Sequence, residues 1–225
     1  YANTVPVMDR PRPDYDAKGT PLGAFRAFPT LDLGLSFSDN VLQSDGAGES
    51  DVNLTASPAL KIVSEWSQHL LEFHGRLNAQ RFADFSSENV TDWEVGARGR
   101  LDIQRGSEVN AEISDSSGHE GRSSPNSPGN IAELVQYSLF HAGGSISVQP
   151  NHLRMLLAGE INRYSYDATP LNGGGFLNNG DRDREEFRLR GRVSLELAEG
   201  YLGFAEASYS RWNFDRAFDR TGVDR

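Results

Sequence analysis

The sequence predicts an all-β chain, an antiparallel up-and-down transmembrane β-barrel, on three observations. Apolar and polar residues alternate with a period of two through most of the chain, as residues on the two faces of a strand do. Tight and long connections between these segments alternate strictly, a rhythm of outer-membrane barrels that Greek-key sandwiches have no reason to follow. Apolar runs such as Met155, Leu156, Leu157 and Ala158 fall far short of the roughly 18 residues that a spanning helix requires.

The elements follow in chain order. Residues 1–25 carry Pro6, Pro11, Pro13 and Pro21 among polar residues without periodicity, and read as an extended N-terminal periplasmic arm. From Arg26 onward, over residues 26–225, nine alternating segments are expected near 26–43, 52–66, 69–83, 91–105, 107–117, 132–149, 152–167, 183–198 and 201–215. In the fourth, Trp93, Val95, Ala97, Gly99, Leu101 and Ile103 alternate with Glu94, Gly96, Arg98, Arg100, Asp102 and Gln104. The third and eighth repeat the pattern, with Phe73 and Leu77 set against His74 and Arg76, and Leu189 and Val193 against Arg190 and Arg192.

Ser67-Gln68, Gly106, Pro150-Asn151 and Glu199-Gly200 are expected as tight periplasmic turns, and residues 44–51, 84–90, 118–131 and 168–182 as long extracellular loops. The segments exceed the roughly 9–11 residues of a membrane strand. Phe28, Trp66, Trp93, Tyr164, Tyr166, Tyr201 and Trp212 fall near segment ends, which suits aromatic girdles at the two interfaces. Nine is an odd number for a bacterial single-chain barrel, so the chain reads as the N-terminal portion of a larger one.

Composition narrows the chemistry. The 225 residues hold no Cys, which excludes disulfides, thiolate metal sites and a Cys nucleophile. The formal charge of −10 argues against nucleic acid as partner. Tyr1 opens the chain without a basic or apolar leader, so any signal peptide is expected to have been removed or to lie outside this sequence. The five His lack metal spacing and stand beside no nucleophile motif, so no enzyme is expected. Asn178 to Asp183 offers closely spaced oxygens but lacks the spacing and distal Glu of a calcium loop, and reads as a polar turn. Gly173-Gly174-Gly175 has no following Lys-Ser/Thr and reads as a loop tip rather than a phosphate loop.

A face carrying Glu72, His74, Arg76, Glu94, Arg98, Arg100, Arg188, Arg190, Arg192 and Glu196 must meet water, because unpaired buried charge is very costly. These ten residues are the candidate lumen lining. The basic ladders at 98–100 and 188–192, with acids that include Glu108 and Glu112, can set up a transverse field that orients anionic solutes or sugar acids; mutual pairing that fills the lumen is the alternative. No catalytic residue, metal site or cofactor is assigned.

Three further stretches carry a resemblance: Arg12 to Gly19 with Phe28-Pro29-Thr30-Leu31-Asp32 and Ser38 to Val41, Gly121 to Gly129, and Tyr164 to Pro170 with Asn178 to Arg184. Together they resemble a family of outer-membrane β-barrel porins of Gram-negative bacteria, from about residue 9 to the end. The resemblance implies a bacterial outer-membrane location, longer family members, and frequent links to exopolysaccharide export or assembly. The expected function is porin-like passage or guidance of a hydrophilic solute. The alternative is a structural outer-membrane anchor or assembly partner for an envelope or extracellular complex. Outer-membrane lipid is the expected partner in either case, with polysaccharide or other envelope proteins beyond it.

Overall fold

The structure, a computed structural model, describes residues 17–43, 48–198 and 200–224. Residues 1–16 of the expected arm, the tip of the first long loop and Glu199 of the last tight turn lie outside the described residues.

Nine long strands form one antiparallel sheet: β2 (Phe25–Ser38), β3 (Asp51–Ser64), β4 (Leu70–Phe82), β5 (Val90–Gln104), β6 (Ser107–Glu120), β7 (Val135–Val148), β8 (Leu153–Tyr166), β11 (Arg184–Ala198) and β12 (Tyr201–Phe214). Three short strands were beyond reach of periodicity. They are β1 (Thr20–Leu22), which pairs with the start of β2, and β9 (Thr169–Pro170) with β10 (Phe176–Leu177), a hairpin inside the last long loop. Two or three residues cannot display a period. β1 places a short paired strand within what the sequence presents as an extended arm without elements.

Each long strand pairs with its chain neighbours, so the sheet runs β1 to β8 and then β11 and β12, in up-and-down order. Among the described residues β12 pairs only with β11, and the free edge of β2 pairs only with β1, so the sheet is open. Strand β6 continues to Glu120, past the expected end at 117, because main-chain pairing of Gly118, His119 and Glu120 with Tyr137, Gln136 and Val135 persists where side-chain alternation stops.

The tight turns use backbone that few side chains favour. Gly106 and Gly200 have φ of 75° and 79°, and Asn151 one of 55°. Glycine takes these values without steric cost and asparagine tolerates them.

Pairing register sorts the side chains. One face carries Leu31, Leu33 and Leu35 of β2, Leu60 of β3 and Phe73 of β4, continuing through Val95, Ile113 and Ile146 to Leu157, Leu189 and Val193. These are the side chains a soluble protein would bury, yet Leu35 is 75% exposed and Leu157 51%. Soluble monomers rarely expose contiguous apolar patches beyond a few hundred Å². An apolar surface spread over nine adjacent strands is more than a soluble monomer leaves to water.

The well-buried core sits elsewhere. Apart from Ala27, the buried apolar side chains of the described residues are Val41, Val90, Ile131 and Val135, all at the end of the sheet where the long loops emerge. There the third and fourth long loops pack on one another. Ile131 bridges Leu171, the Ala132 amide donates to the Pro170 carbonyl at 2.8 Å, and the Asn172 amide to the Asn130 carbonyl at 3.0 Å. Buried Glu88, in a single 3-10 turn (Ser86–Glu88), takes two nitrogens of Arg122, and Arg182 reaches Glu120 while stacking 3.9 Å over the Tyr166 ring.

Asp51, buried at the start of β3, holds the second long loop. Its carboxylate accepts from the amides of Val52 at 2.6 Å and of Asp84 and Phe85 at 3.0 Å each. Asp51→Ala leaves the three amides without their acceptor. Amide hydrogen exchange at residues 84–89 is expected to accelerate at least about fivefold in this variant; unchanged protection there would show that the carboxylate does not hold the loop.

Candidate functional site

The opposite face of the sheet is polar. All ten residues expected to line a lumen lie on it: Glu72, His74 and Arg76 of β4, Glu94, Arg98 and Arg100 of β5, and Arg188, Arg190, Arg192 and Glu196 of β11. Pairing sets them in rows across the strands. Glu72, Arg98, Glu112, Gly143, Glu160 and Arg188 stand in one row. Two residues nearer the tight turns, the next row reads Arg100, Asn110, Ser145, Ala158, Arg190 and Ser208. The row after that holds Asp102, Glu108, Ser147, Leu156, Arg192 and Glu206.

Many of the charges are paired. Arg98 donates to Glu72 at 2.8 Å, Arg76 to Glu94 at 2.8 Å and Arg188 to Glu160 at 2.6 Å. Arg100 lies 3.0 Å from Asp102, whereas Arg192 stands 3.8 Å from Glu206 and stacks 4.0 Å over Phe204. The arginines are solvated, with Arg76 70% and Arg98 56% exposed, so the Arg76–Glu94 and Arg188–Glu160 pairs are each worth no more than about 1 kcal/mol, whereas Glu72 is itself buried beside Arg98.

Every His is engaged. His74 approaches Glu94 at 3.2 Å, His119 approaches Asp92 at 2.9 Å and His152 approaches Glu196 at 3.3 Å. His141 lies 2.7 Å from Asn162 and 3.2 Å from Glu112. His69 exchanges bonds with Asp102: its amide donates to the carboxylate at 2.9 Å and its ring Nδ1 accepts the Asp102 amide at 3.1 Å. None of these pairings places a Ser, Thr or Cys nucleophile against a His.

Aromatic placement corrects the sequence-based girdle. Phe28, Tyr164, Tyr166 and Trp212 lie on the polar face, not the apolar one. Arg184 stacks 4.0 Å over Tyr164, and Lys61 lies 5.4 Å over Phe28. Nearness to a strand end does not fix a residue's face, because one step in register moves a side chain to the other side. On the apolar face it is Phe37, Trp93, Phe140, Phe187 and Tyr209 that occupy the strand halves nearest the long loops.

Asn178 to Asp183 is a turn in which Asn178, Asp181 and Asp183 each accept a main-chain amide. Asn178 Oδ1 accepts the Gly180 amide at 2.9 Å, Asp181 the Arg220 amide at 3.1 Å and Asp183 the Tyr166 amide at 2.7 Å. Gly174 and Gly175 take φ of 84° and 81° at the tip of the β9–β10 hairpin.

The two basic ladders meet across one cleft of about 590 Å³ on the polar face. Arg98 and Arg100 bound it on β5, Arg188 and Arg190 on β11, with Gly143, Ser145 and Ala158 between them. Side chains four strands apart can share a cleft only if the sheet curls toward its polar side, the curvature a barrel requires. Sequence reasoning missed Asn110, Ser145, Ala158 and Glu160 here. Their alternation with Ala111, Ile146, Leu157 and Ile161 marks their face, but only register shows which arginines they stand between.

No curated protein and no solved structure matches the chain. One family model does, over residues 12–225, and with it the chain, up-and-down strands included, belongs to the family described as putative beta-barrel porin 2.

Proposed function

We propose that the protein is an outer-membrane β-barrel whose polar face lines a water-filled path and passes or guides a hydrophilic solute, anionic or saccharide in nature. The carrying observation is the division of one sheet into a face that is apolar from the tight turns to the row of Ile113 on β5 to β11, with charges such as Asp115 and Arg163 only toward the long loops, and a face of mostly solvated charge. In a bilayer the first meets lipid and the second must enclose water. The two sheet edges must then be satisfied, by one another or by further strands, since lipid offers no hydrogen bonds. The path needs neither cofactor nor catalytic residue. A role in exopolysaccharide export rests on the resemblance of the loop motifs alone.

The test is conductance. Full-length protein reconstituted in planar bilayers is expected to give discrete current steps in simple salt solutions; electrically silent insertion would remove the channel reading.

A second reading, an anchor or assembly partner for an envelope or extracellular complex, draws on the packed long loops and on the paired charges of the polar face. Reproducible co-purification with another envelope protein, together with electrical silence, is the result that reading expects.

A further inference from the structure

We propose that the row containing Arg100 and Arg190 is a binding site for the carboxylates of a sugar-acid solute, held across the floor of the cleft. The inference deepens the channel reading and rests on its water-filled polar face.

The row differs from both of its neighbours. From β5 to β12 it reads Arg100, Asn110, Ser145, Ala158, Arg190 and Ser208, with two arginines and no carboxylate. The row toward the loops carries Glu72, Glu112 and Glu160, and the row toward the turns Asp102, Glu108 and Glu206. The acids facing the cleft are occupied. Glu72 and Glu160 bind Arg98 and Arg188, and Glu112 lies 3.2 Å from His141. On the other side, Glu108 accepts from Asn110 at 3.1 Å, and Asp102 lies against Nε and Nη2 of Arg100, whose Nη1 is left to meet a ligand.

Arg190 is exposed and makes no ion pair or side-chain hydrogen bond among the described residues, so its guanidinium keeps all five N–H donors for a ligand. Arg188 and Arg98 each hold their carboxylate through one nitrogen, which leaves further donors over the same cleft. A guanidinium presents paired N–H groups that match the two oxygens of a carboxylate.

The spacing selects an extended ligand. Arg100 and Arg190 are four strand steps apart, roughly 19 Å along the sheet at about 4.8 Å per step, and the curl of the sheet shortens the distance between their tips. A single small anion engages one arginine. A short chain of sugar acids places carboxylates at both, and its hydroxyls between them meet Ser145 and the amide of Asn110, while the small side chain of Ala158 leaves the room.

Calorimetric titration of the full-length chain in detergent micelles tests this, with tri-galacturonate as probe and maltotriose as the neutral control. Tri-galacturonate is expected to bind at low salt at least about tenfold more tightly than maltotriose and to weaken as salt screens the charges. Arg100→Gln and Arg190→Gln are each expected to weaken it about fivefold or more, and Arg190→Lys, which keeps the charge but loses the fork, by less. Arg105→Gln, in a tight turn outside the cleft, should bind as the parent does. Circular dichroism checks that each variant keeps its sheet. Equal binding of maltotriose, or parental affinity in the folded Arg100→Gln/Arg190→Gln double variant, would overturn the site. Planar-bilayer currents on the same preparation separate the two ideas: conductance without binding removes this site and keeps the channel, and binding without conductance does the reverse.

Discussion

Placing an arginine at Ile113 is expected to destabilise the barrel by about 2–4 kcal/mol in a bilayer, while an arginine at the adjacent Ser114 changes stability by less than about 1 kcal/mol. Both residues sit at the centre of β6, opposite Ala97 and Gly96 of β5, and point to opposite faces. Ile113 is 49% exposed and shares its face with Val95 and Ile146. An arginine there must shed water into hydrocarbon or drag water and headgroups inward. At Ser114 the new guanidinium enters the polar side, facing His141 across β7, where water is already present.

A buried protein core would also reject arginine at Ile113, so a third variant is needed. Ser117 lies on the same apolar face, four residues nearer the long loops and opposite Trp93. In a bilayer the cost falls to roughly 0–1 kcal/mol near the interface, so Ser117→Arg should be nearly silent. Reversible urea unfolding in liposomes would measure all three. A flat cost at 113 and 117, or a larger one at 114, would contradict the assignment of faces.

These contrasts rest on features that the sequence carries only in part. The nine long strands could be found because each is long enough to show its period several times, as Trp93 to Gln104 does. The ten charged residues could be assigned to one face for the same reason. The row order could not, because alternation is unchanged when a strand slides by two residues; whether Arg190 stands beside Glu160 or Ala158 is settled by main-chain pairing alone. Aromatics failed in the same way: Tyr164 and Trp212 mark strand ends, but their faces follow from register. The loop cap left no periodic trace. Ile131, Thr169 and Asn179 are almost wholly buried, yet each stands among Gly, Pro and polar residues whose sequence reads as open loop. Their burial depends on contacts between segments about 40 residues apart, such as Ile131 with Leu171.

That cap supplies the second large expected effect. Arg122→Met is expected to open the long-loop end at a local cost of about 3–5 kcal/mol, because it strands a buried carboxylate. Glu88 is 4% exposed, and Arg122 reaches it through Nε at 2.8 Å and again through Nη2, while Nη1 donates to the Ile131 carbonyl at 3.0 Å. The guanidinium thus ties the second long loop to the third across 34 residues of sequence. Removing both charges behaves differently, because a neutral pair of similar volume carries no desolvation penalty. Glu88→Leu/Arg122→Met should therefore recover most of the loss, leaving mainly the unpaired Ile131 carbonyl. Hydrogen exchange resolves the outcome by region: residues 84–89 and 121–134 should lose protection in the single variant and regain most of it in the double, with the strands unaffected in both. A single variant as protected as the parent would mean that apolar packing of Ile131 and Val135 holds the loops without the ion pair. If the double variant is no better than the single, the cap depends on the hydrogen bonds that Arg122 makes and not on the neutralisation of Glu88.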